Sequence, residues 1–393
     1  MRSKLEVLFR ITPVLVLLVA PIMHGQTPTV TFQGPPGARA LGMGGAFIGV
    51  ADDATAAEAN PAGLTILTRP EASIHVLGKS LKADNCATCS SDSGVRPTFA
   101  SYVQPWKRTV VSVYYSSAVE TDSQFLLSAG DNFFGETDDT SLQTVGVAGA
   151  FRPTPLLSIG ASLGLGRLNR NVRTTGLFDV NFEDPTGSVF PGLLEIDDTV
   201  EAEDNALAYN AGVLVNPGGR VSLGLVYKKQ GAFEERQVLR TRACIQCTVV
   251  QLRTLPFELD SDRPDFTPPD YWGAGLALRP LPRTLLAIDY SIQQSKSTFS
   301  NEDQEIRAWS AGAEYLLAAR NSSLFIPFRV GYSRAKDSSF ATSDFFREEA
   351  STFTLGTGIV FGRNQIDVAF SRGHTIATDE RLRQIIVSGI HRF

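Results

Sequence analysis

The chain has 393 residues, of which 43% are hydrophobic and 20% charged, and its formal net charge is −5. A negative charge gives no basic field for nucleic acid, so we exclude nucleic acid as a partner. The length allows two or three domains, but no linker divides the sequence, and one large domain is the simpler interpretation. The 34 Gly and 24 Phe, beside 3 Met, are typical of a turn-rich all-β protein.

The first 25 residues have the features of a signal peptide. Arg2 and Lys4 supply the positive start, and residues 11–23 form an apolar run. The run is short for a membrane-spanning helix, so an uncleaved anchor is the weaker alternative. We predict cleavage near Gly25 or Gln26. If the mature chain enters a membrane, it must do so as a closed barrel, because the remaining sequence offers no helix-length apolar run.

Four cysteines form two C-x-x-C pairs, Cys86 with Cys89 and Cys244 with Cys247. Four thiolates would complete a tetrahedral zinc site, which is the usual interpretation in a cytosolic protein. Export through an oxidising compartment instead favours disulfides. We therefore predict disulfides and no metal, with the three possible connectivities left open.

From about residue 71 to the C-terminus, apolar and small or polar residues alternate in segments of about ten residues. The clearest segment has one apolar face, consisting of Leu157, Ile159, Ala161, Leu163 and Leu165. Opposite faces of such segments carry polar or charged residues, including Asn210, Lys228, Asp289, Arg329 and Asp367. These charges would be unfavourable in a soluble core but suit a wet barrel lumen.

The connections between these segments are alternately short and long, which is typical of outer-membrane barrels. The short ones lie near 104–107, 152–155, 216–219, 279–283, 318–322 and 362–363. The long ones lie near 80–95, 120–140, 168–204, 231–268, 294–303, 335–349 and 373–381. We therefore predict an all-β fold, a transmembrane antiparallel β-barrel of about 14 strands over residues 71–393, with an additional hairpin possible within 231–268.

Aromatic residues mark both ends of the predicted strands, as expected for rings at the two membrane interfaces. One group lies at the far ends of strands that follow a short turn: Tyr115, Tyr227, Tyr290, Tyr332 and Phe370. The other group lies beside the short turns: Trp106, Phe151 and Phe361. The terminal Phe393 resembles the signal read by the barrel-assembly machinery, although His391 and Gly389 leave the register of the last strand open.

Residues 37–64 do not alternate and are rich in Gly and Ala, which suits a segment packed inside a lumen. A short helical run over 54–59 could be capped by Asp52 or Asp53 and ends before Pro61. The run resembles the N-terminal hatch of the FadL/TodX family of outer-membrane transporters, and PorV-like proteins of the type IX secretion system open similarly. The positions that match are Gly42, Gly44, Gly45, Asp52, Asp53, Asn60 and Pro61.

The resemblance implies a fourteen-strand barrel in the bacterial outer membrane, plugged by a hatch over residues 26–70. It implies that a hydrophobic ligand is captured outside, passed to an inner pocket and released sideways into the lipid near a strand kink. The matched hatch residues would have structural and gating roles. Pro327 cannot donate to a strand ladder, so it is a candidate for the kink, with a simple bulge as the alternative.

Residues 168–204 carry much apolar surface for a predicted external loop. Large exposed apolar patches usually mark binding surfaces, so we predict ligand capture there, with self-packing of the loop as the alternative. The capture residues would be Phe178, Phe182, Phe190, Leu193 and Leu194.

Enzyme functions find little support in the sequence. The four histidines are His24, His75, His374 and His391, and no G-x-S-x-G motif or nucleophile–base arrangement accompanies them. We predict no catalytic residue and no cofactor. Two functions remain: passive diffusion of long-chain fatty acids or hydrocarbons through a plugged barrel, and PorV-like shuttling of secreted cargo.

Overall fold

The structure is a computed structural model that describes residues 36–83, 91–129, 132–183, 189–245, 256–262, 266–296, 303–318, 324–337, 349–375 and 380–393. The predicted signal peptide, Cys86, Cys89 and Cys247 lie outside these residues. For Cys244 only the backbone is described, so the predicted disulfides remain predictions. Within the described part of the chain, no helix is long and apolar enough to cross a membrane.

Sixteen strands follow one another along the described chain. The first eight are β1 Glu71–Ala83, β2 Ser91–Trp106, β3 Thr109–Ala129, β4 Asn132–Thr154, β5 Leu157–Glu183, β6 Val189–Val215, β7 Val221–Gln230 and β8 Arg236–Ile245. The others are β9 Pro256–Asp262, β10 Asp270–Leu278, β11 Thr284–Lys296, β12 Asp303–Ala318, β13 Leu324–Asp337, β14 Glu349–Phe361, β15 Asn364–Thr375 and β16 Glu380–Arg392.

Fourteen of the strands close into an antiparallel barrel, which confirms the predicted fold class. Consecutive strands pair throughout, except that β7 pairs with β10 because β8 and β9 form a separate hairpin on the outer part of β6. The circle closes where β16 pairs with β1, with Glu71 opposite Arg392. At this seam Arg392 Nε donates to Glu71 Oε2 over 2.9 Å, and Phe393 N donates to Pro70 O over 2.9 Å.

Alternation separates an apolar outer face from a polar inner face. Leu163, Leu225 and Leu355 are 54%, 60% and 61% exposed on the outside, as expected for lipid contact. The inward charges of Asp289 and Arg329 are buried. The predicted wet lumen is therefore wrong at these positions, because the charges are covered by the N-terminal part of the chain.

The short turns lie where the sequence predicts them. Lys107, Asn216 and Arg283 adopt positive φ at the ends of strands, and Gly362 does so with φ 58°. Such values are typical of tight hairpin turns. The predicted turn at 318–322 lies almost wholly outside the described residues. We call this side of the barrel the short-turn end and the opposite side the long-loop end.

The described residues of two predicted long loops are instead strand. β3 and β4 remain paired to Ala129 and Asn132, and β5 and β6 remain paired to Glu183 and Val189. The sequence prediction was wrong here because it took the loss of apolar alternation as the end of each strand. Beyond the lipid no outer face needs to be apolar, whereas the hydrogen-bonded ladder continues.

Aromatic residues lie at both ends of the barrel, and the last strand follows the same alternation of inward and outward side chains. Near the long-loop end, neighbouring rings meet at 4.3 Å for Tyr227 and Trp272 and at 4.8 Å for Tyr332 and Phe353. At the short-turn end Trp106 is 58% exposed. In β16, Val387 faces outward and Ile386 inward, which places Gly389 and His391 on the outer face and settles the register.

We expect the mature protein to require detergent and to migrate faster on SDS gels when unheated than when boiled, because the closed barrel leaves no unpaired edge from which SDS can open it. The measurement is a gel-shift series against temperature. A single band at all temperatures, or a protein that stays soluble without detergent, would contradict the barrel.

Candidate functional site

The N-terminal segment, residues 36–67, lies against the inner faces of the barrel strands. It contains helix α1 Ala38–Gly42, helix α2 Ala56–Ala59 and the 3-10 helix η1 Pro61–Ile66. Its side chains are mostly small and buried, and the larger Phe47 and Leu64 are fully buried. The segment therefore occupies the lumen as a packed unit.

Inward-facing glycines let the segment approach the barrel wall closely. A Cβ atom on Gly212 would lie 2.0 Å from Asn60 Oδ1, and one on Gly331 would lie 2.1 Å from Gly44 N. Neither position could hold a side chain without moving the segment. The same approach occurs at other inward glycines: Gly160, Gly224, Gly275 and Gly312. The alternation in the sequence indicates the small inner face but not that the segment packs on it.

The matched motif residues of the segment shape its backbone. Gly44 and Gly45 have φ of 71° and 86°, which only glycine adopts without strain. Asn60 precedes η1 and accepts a hydrogen bond from Ala62 N over 3.2 Å, while its amide donates to Ile48 O over 3.1 Å. Pro61 is the first residue of η1, a position that suits its fixed φ.

The predicted helix cap is only partly right. The helix begins at Ala56, later than predicted, and its N-cap Thr55 makes no side-chain capping bond. Asp53 Oδ1 instead accepts a hydrogen bond from Thr55 N over 2.9 Å, forming a turn just before the helix. Burial raises the pKa of the Asp53 carboxyl above its ordinary value, although Arg39 and the Thr55 hydroxyl act in the opposite direction.

A buried ion-pair network joins the segment to the barrel wall. Arg39 of α1 donates to both carboxylate oxygens of Glu314 over 2.9 Å. Glu314 also accepts from Arg329 Nε over 2.6 Å, and Arg329 Nη1 donates to Asp367 over 2.8 Å. Removing one member of a buried pair typically costs about 3–5 kcal/mol, because the other charge stays buried without a partner. The network therefore holds the segment strongly.

Asp52 extends this network toward the short-turn end. It pairs with Arg39 and, over 3.3 Å, with Arg279 beside the β10–β11 turn. These three residues border a cavity of about 450 Å³. The segment also bonds to β11, where the Asp289 carboxylate accepts hydrogen bonds from the backbone N–H groups of Phe47 and Ile48 over 2.6 and 2.7 Å.

The predicted capture residues lie on the extended β5–β6 hairpin and not on a loop. Phe178 pairs with Leu194, and Phe182 pairs with Phe190. By alternation Phe178, Phe190 and Leu194 lie on the lumen side of the strands, whereas Leu193 lies on the opposite side and is also buried. The side chain of Phe182 is outside the described residues. The five residues are therefore not one exposed patch, and self-packing of the hairpin accounts for part of their burial.

The lumen side of this hairpin carries an apolar stripe that leads toward the barrel mouth and is interrupted by Arg170, Thr174, Asp198 and Asp204. Its members are Leu168, Val172, Phe178, Leu194, Ile196, Val200, Ala202 and Ala206. At the inner end Phe233 is fully buried against Leu168, and Phe266 packs beside it. No local sequence pattern marks Phe233 and Phe266 as stripe neighbours, because the fold brings them there from the chain between β7 and β10.

The barrel wall is interrupted between β2 and β3. β2 and β3 pair at Ser91↔Gln124 and again from Phe99↔Ser116 onward. Between these points, residues 92–98 of β2 and 117–123 of β3 do not pair with each other. Both stretches keep their other neighbours, β1 and β4. At the end of the gap nearer the short turns, each strand has a bulge. β2 has its bulge against β1 at Thr98, and β3 has its bulge against β4 at Ala118. We call this opening the β2–β3 gap.

Aromatic residues cover the lumen side beside the gap. Phe99, at the inner edge of the gap, is fully buried and stacks on Tyr114 with ring centres 6.3 Å apart. Both belong to an apolar cluster that includes Ala57 and Leu64 of the N-terminal segment. On the outer surface Val95 is 80% exposed beside the gap. Apolar surface therefore exists on both sides of the opening.

The ladder is broken at Pro327, where the sequence predicts a break, but the break is small. β13 and β14 pair at Phe325↔Val360 and at Phe328↔Thr357, with Ile326 and Pro327 unpaired to β14. The register is unchanged across the break, so it is not a bulge. Pro97, within β2 and beside the larger gap, is the signal that sequence analysis passed over.

We expect Gly331→Leu to expel the N-terminal segment, because its side chain would occupy the space of Gly44. The variant should fold as a barrel but let small polar solutes through, measured as sugar-driven swelling of proteoliposomes. Gly149→Leu is the matched control, since a Cβ there has no atom within 4 Å, and it should remain tight. A folded Gly331→Leu barrel that is as tight as the control would show that the segment does not close the lumen.

Neither a protein-family model nor a curated protein matches the sequence. Solved structures do match over almost the whole chain. The CymD monoaromatic hydrocarbon channel is 15% identical with a TM-score of 0.65, covering 92% of this chain and 98% of its own. The Ralstonia pickettii toluene transporter TbuX is 15% identical with a TM-score of 0.62, covering 92% and 99%.

A Pseudomonas aeruginosa FadL homologue is 13% identical with a TM-score of 0.60, covering 89% of this chain and 98% of its own. These structures come from the family that the motif of residues 37–64 resembles. Among the described residues, no group of three or more His, Cys, Asp or Glu side chains is arranged to hold a metal. At such low identity the likeness shows a shared fold, and by fold this chain resembles the FadL/TodX transporters.

Proposed function

We propose that this protein is a bacterial outer-membrane transporter that admits small hydrophobic compounds by passive diffusion. The ligand enters along the apolar stripe at the long-loop end, which faces outside, and leaves through the β2–β3 gap into the lipid. The N-terminal segment acts as a plug that blocks the direct route to the periplasm. The β2–β3 gap is the observation that carries the proposal. An interrupted ladder leaves backbone N–H and C=O groups unpaired in a lipid-facing wall, which is costly, so we infer that the gap serves a function.

The position of the gap supports release into lipid. Val95 and Pro97 pair through β1 with Gly78 and Val76, and these pair in turn with Ile385 and Val387 of β16. Ile385 and Val387 are 50% and 46% exposed on the outer face. The β2 side of the gap is therefore level with the apolar belt that contacts lipid. A ligand that passes between the strands enters hydrocarbon and not water.

The direct route is unfavourable for a hydrophobic ligand. It would have to displace Arg39 from Glu314, and it would then meet the charges of Asp52 and Arg279. Leaving such charges without partners costs several kcal/mol for each broken pair. Lateral exit past Phe99 breaks neither of these pairs, so it is the lower-energy path.

The ligand class follows from the solved structures and from the lumen. CymD is described as a monoaromatic hydrocarbon channel and TbuX as a toluene transporter, and an aromatic-lined exit suits such compounds. The lumen also holds the buried cation Lys228, with Nζ 5.3 Å from the Tyr271 ring centre, which could receive a carboxylate. Toluene and oleate are therefore the two ligands to test.

The PorV-like alternative requires a folded protein as cargo. A stripe of single side chains and a gap between two neighbouring strands suit an alkyl chain or an aromatic ring. We therefore prefer transport.

We expect that bridging the β2–β3 gap stops uptake. Thr98→Cys with Ser117→Cys, made after the native cysteines are replaced by serine, places two thiols at the first missing register pair. Oxidation should lower the uptake of labelled toluene or oleate by at least tenfold, and reduction should restore it. The control is Tyr102→Cys with Val113→Cys, a pair within the intact ladder, whose oxidation should have no effect. Normal uptake by the oxidised gap variant would rule out this exit.

We expect Phe178→Ser with Leu194→Ser to weaken ligand capture at least tenfold. Burial of one such side chain against a ligand is worth up to about 1.5–3 kcal/mol, and about 1.4 kcal/mol gives a factor of ten. The readout is binding of labelled oleate to the purified barrel. Phe353→Ser, on the lipid-facing side, is the control and should bind normally. Equal binding by both variants would remove the stripe from the entry route.

A further inference from the structure

Two arginines lie directly opposite each other on the outer surface of the barrel. Arg372 of β15 is the register partner of Arg383 of β16, and both side chains are exposed. Neither makes a hydrogen bond or an ion pair with another described residue. Like charges directly opposite on antiparallel strands are destabilising, since their Cβ atoms are only about 4.5–5.5 Å apart. The described residues therefore leave the pair without a counter-ion.

Other outward-facing arginines near the long-loop end of the barrel have carboxylate partners within the chain. Three such pairs lie on neighbouring or nearby strands: Arg167 with Glu203, Arg307 with Glu305, and Arg334 with Glu349. The opposed arginines depart from this pattern. Within the described register, the residues beside them across the strands are Phe353 next to Arg372 and Ser80 next to Arg383, so neither direct neighbour supplies a negative charge.

The arginines lie at the edge of the lipid-facing belt. Phe370 and Ile385, two residues closer to the membrane centre on the same face, are 40% and 50% exposed, and Phe353 is 66% exposed. Basic residues just beyond an aromatic and apolar belt lie at the level of lipid headgroups. The two guanidinium groups are thus placed where a lipid presents its phosphate.

We propose that Arg372 and Arg383 bind a phosphate group of an anionic lipid in the outer leaflet. Guanidinium groups bind phosphate through paired N–H donors, and a phosphate shared by both would remove their mutual repulsion. The exposed rings and alkyl groups of Phe353, Phe370 and Ile385 would contact the acyl chains of the same lipid. This apolar floor selects a lipid over free phosphate.

The inference rests on the proposed membrane location and is independent of the transported ligand. The test uses the full mature protein in a zwitterionic detergent, with bound lipid counted by native mass spectrometry. The probes are bisphosphorylated lipid A, the same lipid without phosphates, and inorganic phosphate. We expect the phosphorylated lipid to bind at least tenfold more tightly than either of the others. Equal binding of the dephosphorylated lipid, or equally tight binding of inorganic phosphate, would overturn the proposal without any variant.

The variants test the residues themselves. Arg372→Gln with Arg383→Gln should weaken binding of the phosphorylated lipid at least tenfold, while Arg334→Gln, at a similar level but in an ion pair, should not. If the double variant fails to fold, the single variants should each weaken binding. Unchanged binding in the folded double variant, or an equal loss in Arg334→Gln, would show that the lipid binds elsewhere. Oleate uptake by the double variant should be normal, which separates this test from that of the transport route.

Discussion

The pairing of backbone N–H and C=O groups in a lipid environment is the constraint on which this structure depends. A strand in hydrocarbon cannot satisfy these groups with water, so the sheet must close, and it does so where Glu71 meets Arg392. The same constraint makes interruptions informative. At Pro327 a missing donor explains two unpaired positions, whereas Pro97 alone cannot explain the longer β2–β3 gap, which needs the bulges at Thr98 and Ala118.

The second constraint is that buried charged side chains on the inner wall need partners, as the backbone groups of the ladder do. Charges on the inner face would be acceptable in water, but the N-terminal segment excludes water from Glu314 and Arg329. Each of these charges then needs a partner, and Arg39 supplies one from the segment itself. Shape complements charge, because glycines such as Gly212 and Gly331 leave room for the segment backbone. Close packing and paired charges therefore specify a single position for the segment.

The sequence predicts the structure where residue types alternate regularly, and it gives little information where they do not. Alternation predicted the fourteen strands, and positive-φ turns followed at Lys107 and Asn216. The strand extensions past Leu168 were missed, because outside lipid the outer face loses its apolar signal while the ladder persists. The contact between Phe233 and Leu168 was also missed, since it depends on how the chain between β7 and β10 folds back over the mouth, and no local pattern encodes that path.

The N-terminal segment and the β2–β3 gap are parts of one packed unit. Ala38 N, at the start of α1, donates to Ser388 Oγ over 2.7 Å, and the same hydroxyl lies 2.6 Å from His75 Nδ1. The His75 ring packs edge-on against Phe99, with centres 5.4 Å apart. Gly37 permits this arrangement, because a Cβ there would lie 2.7 Å from the His75 ring. The residue at the inner edge of the gap is thus supported, through two side chains, by the first turn of the N-terminal segment. Displacing that turn would remove the support behind Phe99, so the position of the N-terminal segment and the shape of the β2–β3 gap depend on the same contacts.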